Sequence, residues 1–484
     1  MKPIPLRKFA QIINSVSTIS SLAPAPVAGA GPQHAGDKIT GVTTDSRAVK
    51  NGDCFFAIVG DKFDGHDFLD DVFQKGAACA VVSKETKTRF PDKPILKVRD
   101  TIDALGKLAI YYRNELNPTV IGITGSVGKT TAREIVYNCL SRHFSTIRSP
   151  KSFNNNIGLP LTILSAAPDT KIIVAEIGSN HPGEILNLTK IASPDIALII
   201  NVHASHLTGF GSIEAIAKEK SSIADGLRED GTLIINADQP FLLDACRSRK
   251  VKKIITFGTS KNADIRAYNI ELLPASSHFT IANTQIEVPL PGAGNCQNTL
   301  AAWAVCKELG IKLTDFAAAL KELPVVSMRA EILHIGPLTV INDCYNANPA
   351  SMSNALQILA NIDPAGNRRP VFICGDMNEL GKDAESLHAH LGRQIALSRI
   401  GLLISVGPLA EIAAQTAQKF ANHNIQIISY PDTSTASNNL LKFIKDTDII
   451  LVKGSRIIGL EAVIETLRTL CEAKKPPFYP PAAD

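Results

Sequence analysis

The sequence holds no C-x-x-C pair, and its nine cysteines are odd in number and scattered. That argues against a disulfide framework and against a structural zinc site, and leaves reduced thiols as the simple reading. No run of about 18 apolar residues occurs, so no membrane-spanning helix is expected. Charge of one sign is also scarce. A formal net charge of +4 over 484 residues forms no basic stripe, which argues against nucleic acid or a membrane surface as the main partner. An anionic small substrate stays compatible with that balance. At the N-terminus Arg7 and Lys8 are basic, but Asn14, Ser15, Ser17 and Thr18 interrupt any apolar core, so a signal peptide is not expected. Together these absences point to a cytoplasmic enzyme or binding protein, with a monomer as the expected state. Internal repeats are missing as well.

What is present is an ordinary globular composition, 45% hydrophobic and 20% charged, in a chain too long for one core. Short β-branched runs alternate with helical stretches, which predicts α/β architecture with largely parallel sheets. Three blocks are expected, spanning 1–116, 117–323 and 324–484. Residues 22–36, rich in Ala, Pro and Gly, read as a loose connector, and 476–484 as a poorly ordered tail. In the middle block three strand-like runs end in polar groups: 119–123 leads into Lys129, 171–175 into Glu176, and 196–200 toward His206. In the last block the runs 338–341, 371–374 and 449–452 lead to Asp343, Asp376 and Lys453. Parallel open sheets bind ligands at the C-terminal strand edge, so two such sheets predict a cleft between two domains.

The sharpest local signal is Gly122-Ile-Thr124-Gly125-Ser126-Val127-Gly128-Lys129-Thr130-Thr131, between a predicted strand and a predicted helix. Backbone N–H groups and the helix N-terminus favour phosphate there, Lys129 can reach the β/γ-phosphates, and Thr130 can ligate Mg²⁺. The full G-x-x-x-x-G-K-[ST] spacing is not met, because Gly122 falls one residue early. A ligand-free glycine turn is the bland alternative. Glu176 reads as a Mg²⁺ ligand, direct or through water, or as a salt-bridged surface residue. His206 could take a second metal or a phosphate, although a lone histidine is more often structural, the default kept for His181 and His203. Lys218 and Lys220 would ordinarily lie on a solvated helix face.

Several further runs carry a resemblance: Thr44-Asp45-Ser46-Arg47, Asp64-Gly65-His66, Asn154-Asn155-Asn156, Ser205-His206-Leu-Thr-Gly, Ala217-Lys-Glu-Lys220, Asp343-Cys-Tyr345-Asn346-Ala-Asn348-Pro349, Gly375-Asp-Met-Asn-Glu379 and Lys453-Gly-Ser455-Arg456. In this order, and over nearly the whole chain, they resemble the Mur ligases. The resemblance implies three domains: a UDP-sugar-binding N-terminal domain, a central phosphate-loop domain that binds ATP, and a Rossmann-like C-terminal domain that closes over the site. It implies ATP-dependent ligation of D-alanyl-D-alanine to UDP-N-acetylmuramoyl-tripeptide through an acyl phosphate, with two Mg²⁺ ions. Lys129, Glu176, His206 and Lys220 become the catalytic set, with Thr130, Glu176, His206 and Lys220 (as a carbamate) at the metals. ATP would meet residues 124–131, Asn298, Arg329 and Asp343. Substrates would meet residues 44–47, Asn154, Asn155, Tyr345, Asn346, Asn348, Lys453, Ser455 and Arg456, the last three also readable as a surface turn.

The sequence departs from the family pattern at Gly294, where a histidine is usual, and at Asn342 and Asn156. Two competing readings follow. Folylpolyglutamate or cyanophycin ligases would share the central motifs but lack the Asp-Ser-Arg and Asp-Gly-His runs. A nucleotide-binding regulatory module would bind ATP without ligation. The third residue of the tripeptide is left open between lysine and diaminopimelate.

Overall fold

The computed structural model describes residues 1–16 and 38–473. The expected connector at 22–36 and tail at 476–484 lie outside them. Among the described residues the strands form four sheets. Ile4–Pro5 pairs with Lys38–Ile39 as a small antiparallel ribbon. Gly41–Thr43, Asp53–Phe56, Cys79–Val82 and Ile95–Lys97 then make an all-parallel sheet. The helix Thr101–Leu116 follows, started by Asp100, whose carboxylate accepts the N–H groups of Ile102 and Asp103. It stops at Asn117, which turns left-handed at φ +50°. Buried Arg113 on this helix holds the carbonyls of Ala192 and Ser193 and pairs with Asp195, tying the helix to the next sheet.

The central sheet has nine strands, ordered Thr284–Val288, Ser277–Ile281, Ile265–Leu272, Lys253–Gly258, Thr232–Asn236, Ile196–Ile199, Thr119–Thr124, Ile172–Glu176 and Thr146–Arg148. It is parallel from Thr146–Arg148 to Ile265–Leu272, as the buried β-branched runs predict. The last two strands are antiparallel, a hairpin that the sequence reading did not anticipate. Its two-residue turn, Ala282-Asn283, has φ of +45° and +66°, the mirror-type geometry that suits strand twist. Alternate residues Phe279, Ile281, Ile286 and Val288 bury themselves in one core with the helix Ala293–Glu308.

The last sheet runs Glu331–Ile335, Leu338–Asn342, Asp448–Lys453, Arg369–Gly375, Leu402–Val406, Gln426–Tyr430, with one antiparallel pair at the first edge. Every cysteine is a free thiol, eight of them buried and Cys471 half-buried. No helix among the described residues is long and apolar enough to cross a membrane.

Candidate active site

The C-terminal strand ends of the central and last sheets face each other across a cleft of about 640 Å³. Lys129, Glu176 and His206 line it from one side, and Asp343, Lys453 and Arg456 from the other. Asp376 does not reach it. Its carboxylate turns back to accept the N–H of Ala410 at 2.6 Å, in the first turn of the helix Pro408–Phe420.

The strand Thr119–Thr124 delivers the chain into the loop, and the helix Lys129–Leu140 begins at its end. Gly128 is left-handed at φ +87°, and a Cβ there would fall 2.0 Å from Asn298 Oδ1, so only glycine fits. The loop is braced from behind. Val127 N–H donates to Asn201 Oδ1 at 3.0 Å, and Ser126 Oγ exchanges hydrogen bonds with the backbone of His203. Lys129 Nζ donates to the Gly125 carbonyl at 2.7 Å. Burial pushes the Lys129 ammonium below its ordinary pKa; Glu176 opposes that shift and Arg329 adds to it. An anion in the loop would relieve this cost of a buried cation.

Glu176 is 2% exposed and fully engaged. Its Oε2 accepts from Thr130 Oγ1 at 2.9 Å and faces Arg133 Nη1 at 3.3 Å; its Oε1 accepts from Asn154 Nδ2 at 2.9 Å. The surface alternative for Glu176 is therefore wrong, because the strand end carries it inward beside the loop. A hydroxyl and a carboxylate at this spacing next to a phosphate cradle suit Mg²⁺, which keeps waters and phosphate oxygens as its other ligands. Thr124 Oγ1, at the root of the loop, is buried with no hydrogen-bond partner.

Lys220 is the clearest correction to the sequence reading. It is 2% exposed, whereas its neighbour Lys218 is on the solvated face. The helix Ile213–Ser221 turns Lys220 inward, and among the described residues no carboxylate pairs with its ammonium. Burial drives its pKa well below the ordinary lysine value, and Lys129 lowers it further. The neutral amine is thereby favoured. His206, left-handed at φ +52°, feels both lysines; burial lowers its pKa first, Lys129 next, and Glu379 opposes them. Lys129, Lys220 and His206 thus act on one another, with Glu176 beside Lys129, Glu219 beside Lys220 and Glu379 beside His206.

On the opposite wall Lys453 is almost wholly buried. Its Nζ pairs with Asp343 Oδ2 at 2.7 Å and donates to the Asn346 carbonyl at 2.8 Å. Tyr345 shares a short hydrogen bond with Ser152 of the central sheet's side, and its ring lies under the Arg329 guanidinium at 4.2 Å and near that of Arg456 at 6.0 Å. Asn346 Oδ1 accepts the Ala347 N–H, and Asn348 caps the helix Pro349–Ile362 in a reciprocal box with Ser351. Ser455 Oγ accepts the Asn378 N–H at 2.8 Å, while Arg456 reaches Glu461 at 3.2 Å and stays more than half exposed.

Other predicted residues lie elsewhere. Thr44, Asp45, Ser46 and Arg47 do not line this cleft; Arg47 is exposed and chelates Asp45 through two nitrogens at 2.9 and 2.8 Å. That pairing holds the Asp45 carboxyl down at a pKa of about 2. Asn155 is spent on the N–H groups of Ile157 and Gly158, which open the helix Gly158–Leu164. The departures from the family pattern have local reasons. Gly294 N–H donates to Asn354 Oδ1 at 3.0 Å, and a Cβ at Gly294 would already lie 3.1 Å from that oxygen. Asn342 bridges Glu331 and Cys344, and Asn156 is exposed. Asn201, Arg133 and Glu379 are site residues that the sequence reading gave no role. Asn201, in the run leading to His206, and Glu379, in the Gly375-Asp-Met-Asn-Glu379 run, both sat in stretches already singled out, whereas Arg133 did not.

Three family models match the chain: "Mur ligase family, catalytic domain" over 38–113, "Mur ligase middle domain" over 123–306, and "Mur ligase, glutamate ligase domain" over 328–456. The UDP-N-acetylmuramoyl-tripeptide–D-alanyl-D-alanine ligase of Bacillus subtilis is 34% identical over 447 residues, 90% of this chain and 95% of that protein. A crystal structure of MurF from Acinetobacter baumannii superposes with a TM-score of 0.85 at 30% identity, covering 97% of this chain and 99% of that one. The MurF ligase of Thermotoga maritima, solved in complex with ADP, gives a TM-score of 0.76 at 27% identity over 90% of this chain and 98% of that one.

Proposed function

The chain belongs to the Mur ligase family, and from that premise we propose that it joins D-alanyl-D-alanine to UDP-N-acetylmuramoyl-tripeptide at the expense of ATP. The observation that carries the reading is the phosphate loop with Lys129, Glu176 and His206 lining one wall of the cleft and Arg329 and Arg456 the other, with the buried amine of Lys220 close enough to act on Lys129 and His206. Such a site attracts polyanions and rewards the spreading of negative charge in phosphoryl transfer.

ATP enters with its phosphates on the loop amides of residues 125–130, under Lys129. Thr130 and Glu176 would hold one Mg²⁺, which supplies charge neutralisation at the β- and γ-phosphates. His206 and Lys220 would serve a second ion, provided that Lys220 carries a carboxyl group. Its neutral amine can add CO₂, losing one proton and gaining a negative charge, which suits a site short of carboxylates. The tripeptide carboxylate attacks the γ-phosphorus, ADP leaves, and an acyl phosphate results. The dipeptide amine then attacks the acyl carbon and phosphate departs, with Lys129 facing the charge on the tetrahedral intermediate. On the far wall Arg456, paired with Glu461 but more than half exposed, is the group that would meet the dipeptide carboxylate. Lys453 instead holds Asp343 and Asn346 in place, and Tyr345 positions Arg329 and Arg456 by stacking. Thr44 to Arg47 would meet the UDP end on the first domain. The expected compartment is the cytoplasm, and the expected domain limits are 1–116, 117–323 and 324–484.

The test is phosphate release with ATP, Mg²⁺, the nucleotide tripeptide and D-alanyl-D-alanine, each omitted in turn, with mass analysis of the product. Release that needs both acceptor substrates, with a mass gain of one amide linkage, is the expected outcome. ATP binding without such release would overturn the ligase reading in favour of a nucleotide-binding regulatory module.

A further inference from the structure

The last sheet contributes one carboxylate that reaches across the cleft to the opposite wall. Glu379 Oε2 accepts from His206 Nδ1 in a short hydrogen bond between residues 173 apart in sequence. The backbone joins in: the Thr208 N–H donates to the Glu379 carbonyl at 3.1 Å. Both partners hold an uncommon conformation, His206 at φ +52° and Glu379 at φ +62°, although neither is glycine. Left-handed backbone in non-glycine residues costs free energy and persists where surrounding contacts over-determine it. Gly381 completes the contact, its own left-handed turn bringing it against Thr208, where a Cβ would sit 3.4 Å away.

The geometry fixes the imidazole. With Nδ1 donating to a carboxylate, the lone pair for any ligand belongs to Nε2. Among the described residues Nε2 has no hydrogen-bond partner, and His206 lines the cleft. A carboxylate behind a metal-binding histidine sets its tautomer and ring orientation and raises its basicity. Here the two partners come from different domains.

We infer that Glu379 is the positioning residue for His206, presenting Nε2 to a divalent cation only when the C-terminal domain is docked on the central one. The inference rests on the proposed role of His206 at the second ion, and it links cation binding to domain closure through one side chain. Glu379 acts through the ring it holds.

The experiment titrates the full-length protein with Mn²⁺ in the presence of a non-hydrolysable ATP analogue, reading free Mn²⁺ by electron paramagnetic resonance. Wild type, Glu379→Ala, Glu379→Gln and His206→Ala are compared, with thermal midpoints measured in parallel. Expected is a loss of Mn²⁺ affinity of roughly 10- to 100-fold in Glu379→Ala. Glu379→Gln, which keeps an acceptor for Nδ1–H, should lose less, and the thermal midpoints should hold. Small-angle scattering should show Glu379→Ala more open than wild type with the analogue bound. Wild-type Mn²⁺ affinity in Glu379→Ala, while His206→Ala is impaired, would overturn the inference and leave the metal reading standing. Wild-type affinity in His206→Ala as well would remove the metal role of His206, and the inference with it.

Discussion

The central and last sheets obey the same topological rule and spend it differently. Each delivers polar groups to its C-terminal strand edge, and each edge faces the same cleft. On the central edge the buried Lys129 and Lys220 and the half-buried His206 crowd one another, and among the described residues no carboxylate forms an ion pair with either lysine, so the Lys129 charge is left to be met by something else. On the opposite edge the charges are largely consumed within the fold: Lys453 closes on Asp343, and Asp376 caps a helix. A strand end therefore locates a group, while its partners decide whether the group is available. Chemistry collects on the edge whose charges are unbalanced, and scaffolding on the edge whose charges cancel.

Substitutions on the two edges should differ in kind. The largest effect is expected from Lys129→Ala, which should lower turnover by roughly a hundred- to a thousandfold or more, with the circular dichroism spectrum and thermal midpoint unchanged. Wild-type turnover would dissolve the distinction between the edges. Lys220→Ala should lose at least the roughly 10- to 100-fold that even an outer-shell partner costs at a metal, and small carboxylates such as formate should restore part of it. A fully active Lys220→Ala would leave the buried amine without a role. On the balanced edge, Lys453→Met should act first on stability. It leaves the half-buried Asp343 on the cleft wall without its cation, at a cost of about 1–2 kcal/mol in denaturant titration. Unchanged stability would mean that this edge, too, is poised for a ligand.

The smallest effect lies outside the cleft, at the exposed Asp45–Arg47 pair. Arg47 holds the folded Asp45 pKa below its unfolded value, so the pairing is present above the ordinary carboxyl range and is lost as pH falls through about 2. Arg47→Ala should return the Asp45 pKa to the ordinary range in a carbon-detected NMR titration, without altering the global unfolding midpoint at neutral pH. A carboxyl still near 2 would show that other groups hold it.

The parallel cores and the phosphate loop were legible because local sequence dictates them. β-branched runs end in a polar residue at the strand edge, and Gly128 marks where the chain must turn left-handed, at φ +87°, into the helix. Lys220 was not legible, because Ala217-Lys-Glu-Lys220 looks solvated until the packing of its helix buries Glu219 and Lys220 and leaves only Lys218 outside. The hairpin 277–288 was missed because its alternation is short and sits among parallel units. Glu379 was quoted as part of a motif but received no role, since its partner lies 173 residues away and only the docking of two domains brings them together. Gly294 was read as a departure from the family pattern, and in the fold its N–H donates to Asn354 Oδ1.

The thiols carry a practical consequence. Eight of the nine are sealed in the interior, while Cys471 lies half-buried on the closing domain's last helix, Glu461–Ala473, with its sulfur against the Ile335 carbonyl. The chain thus carries one half-buried thiol as an attachment point for a thiol-directed dye, outside the cleft lining. A fluorophore there would report any movement of that helix when ATP is added, with no cysteine added or removed.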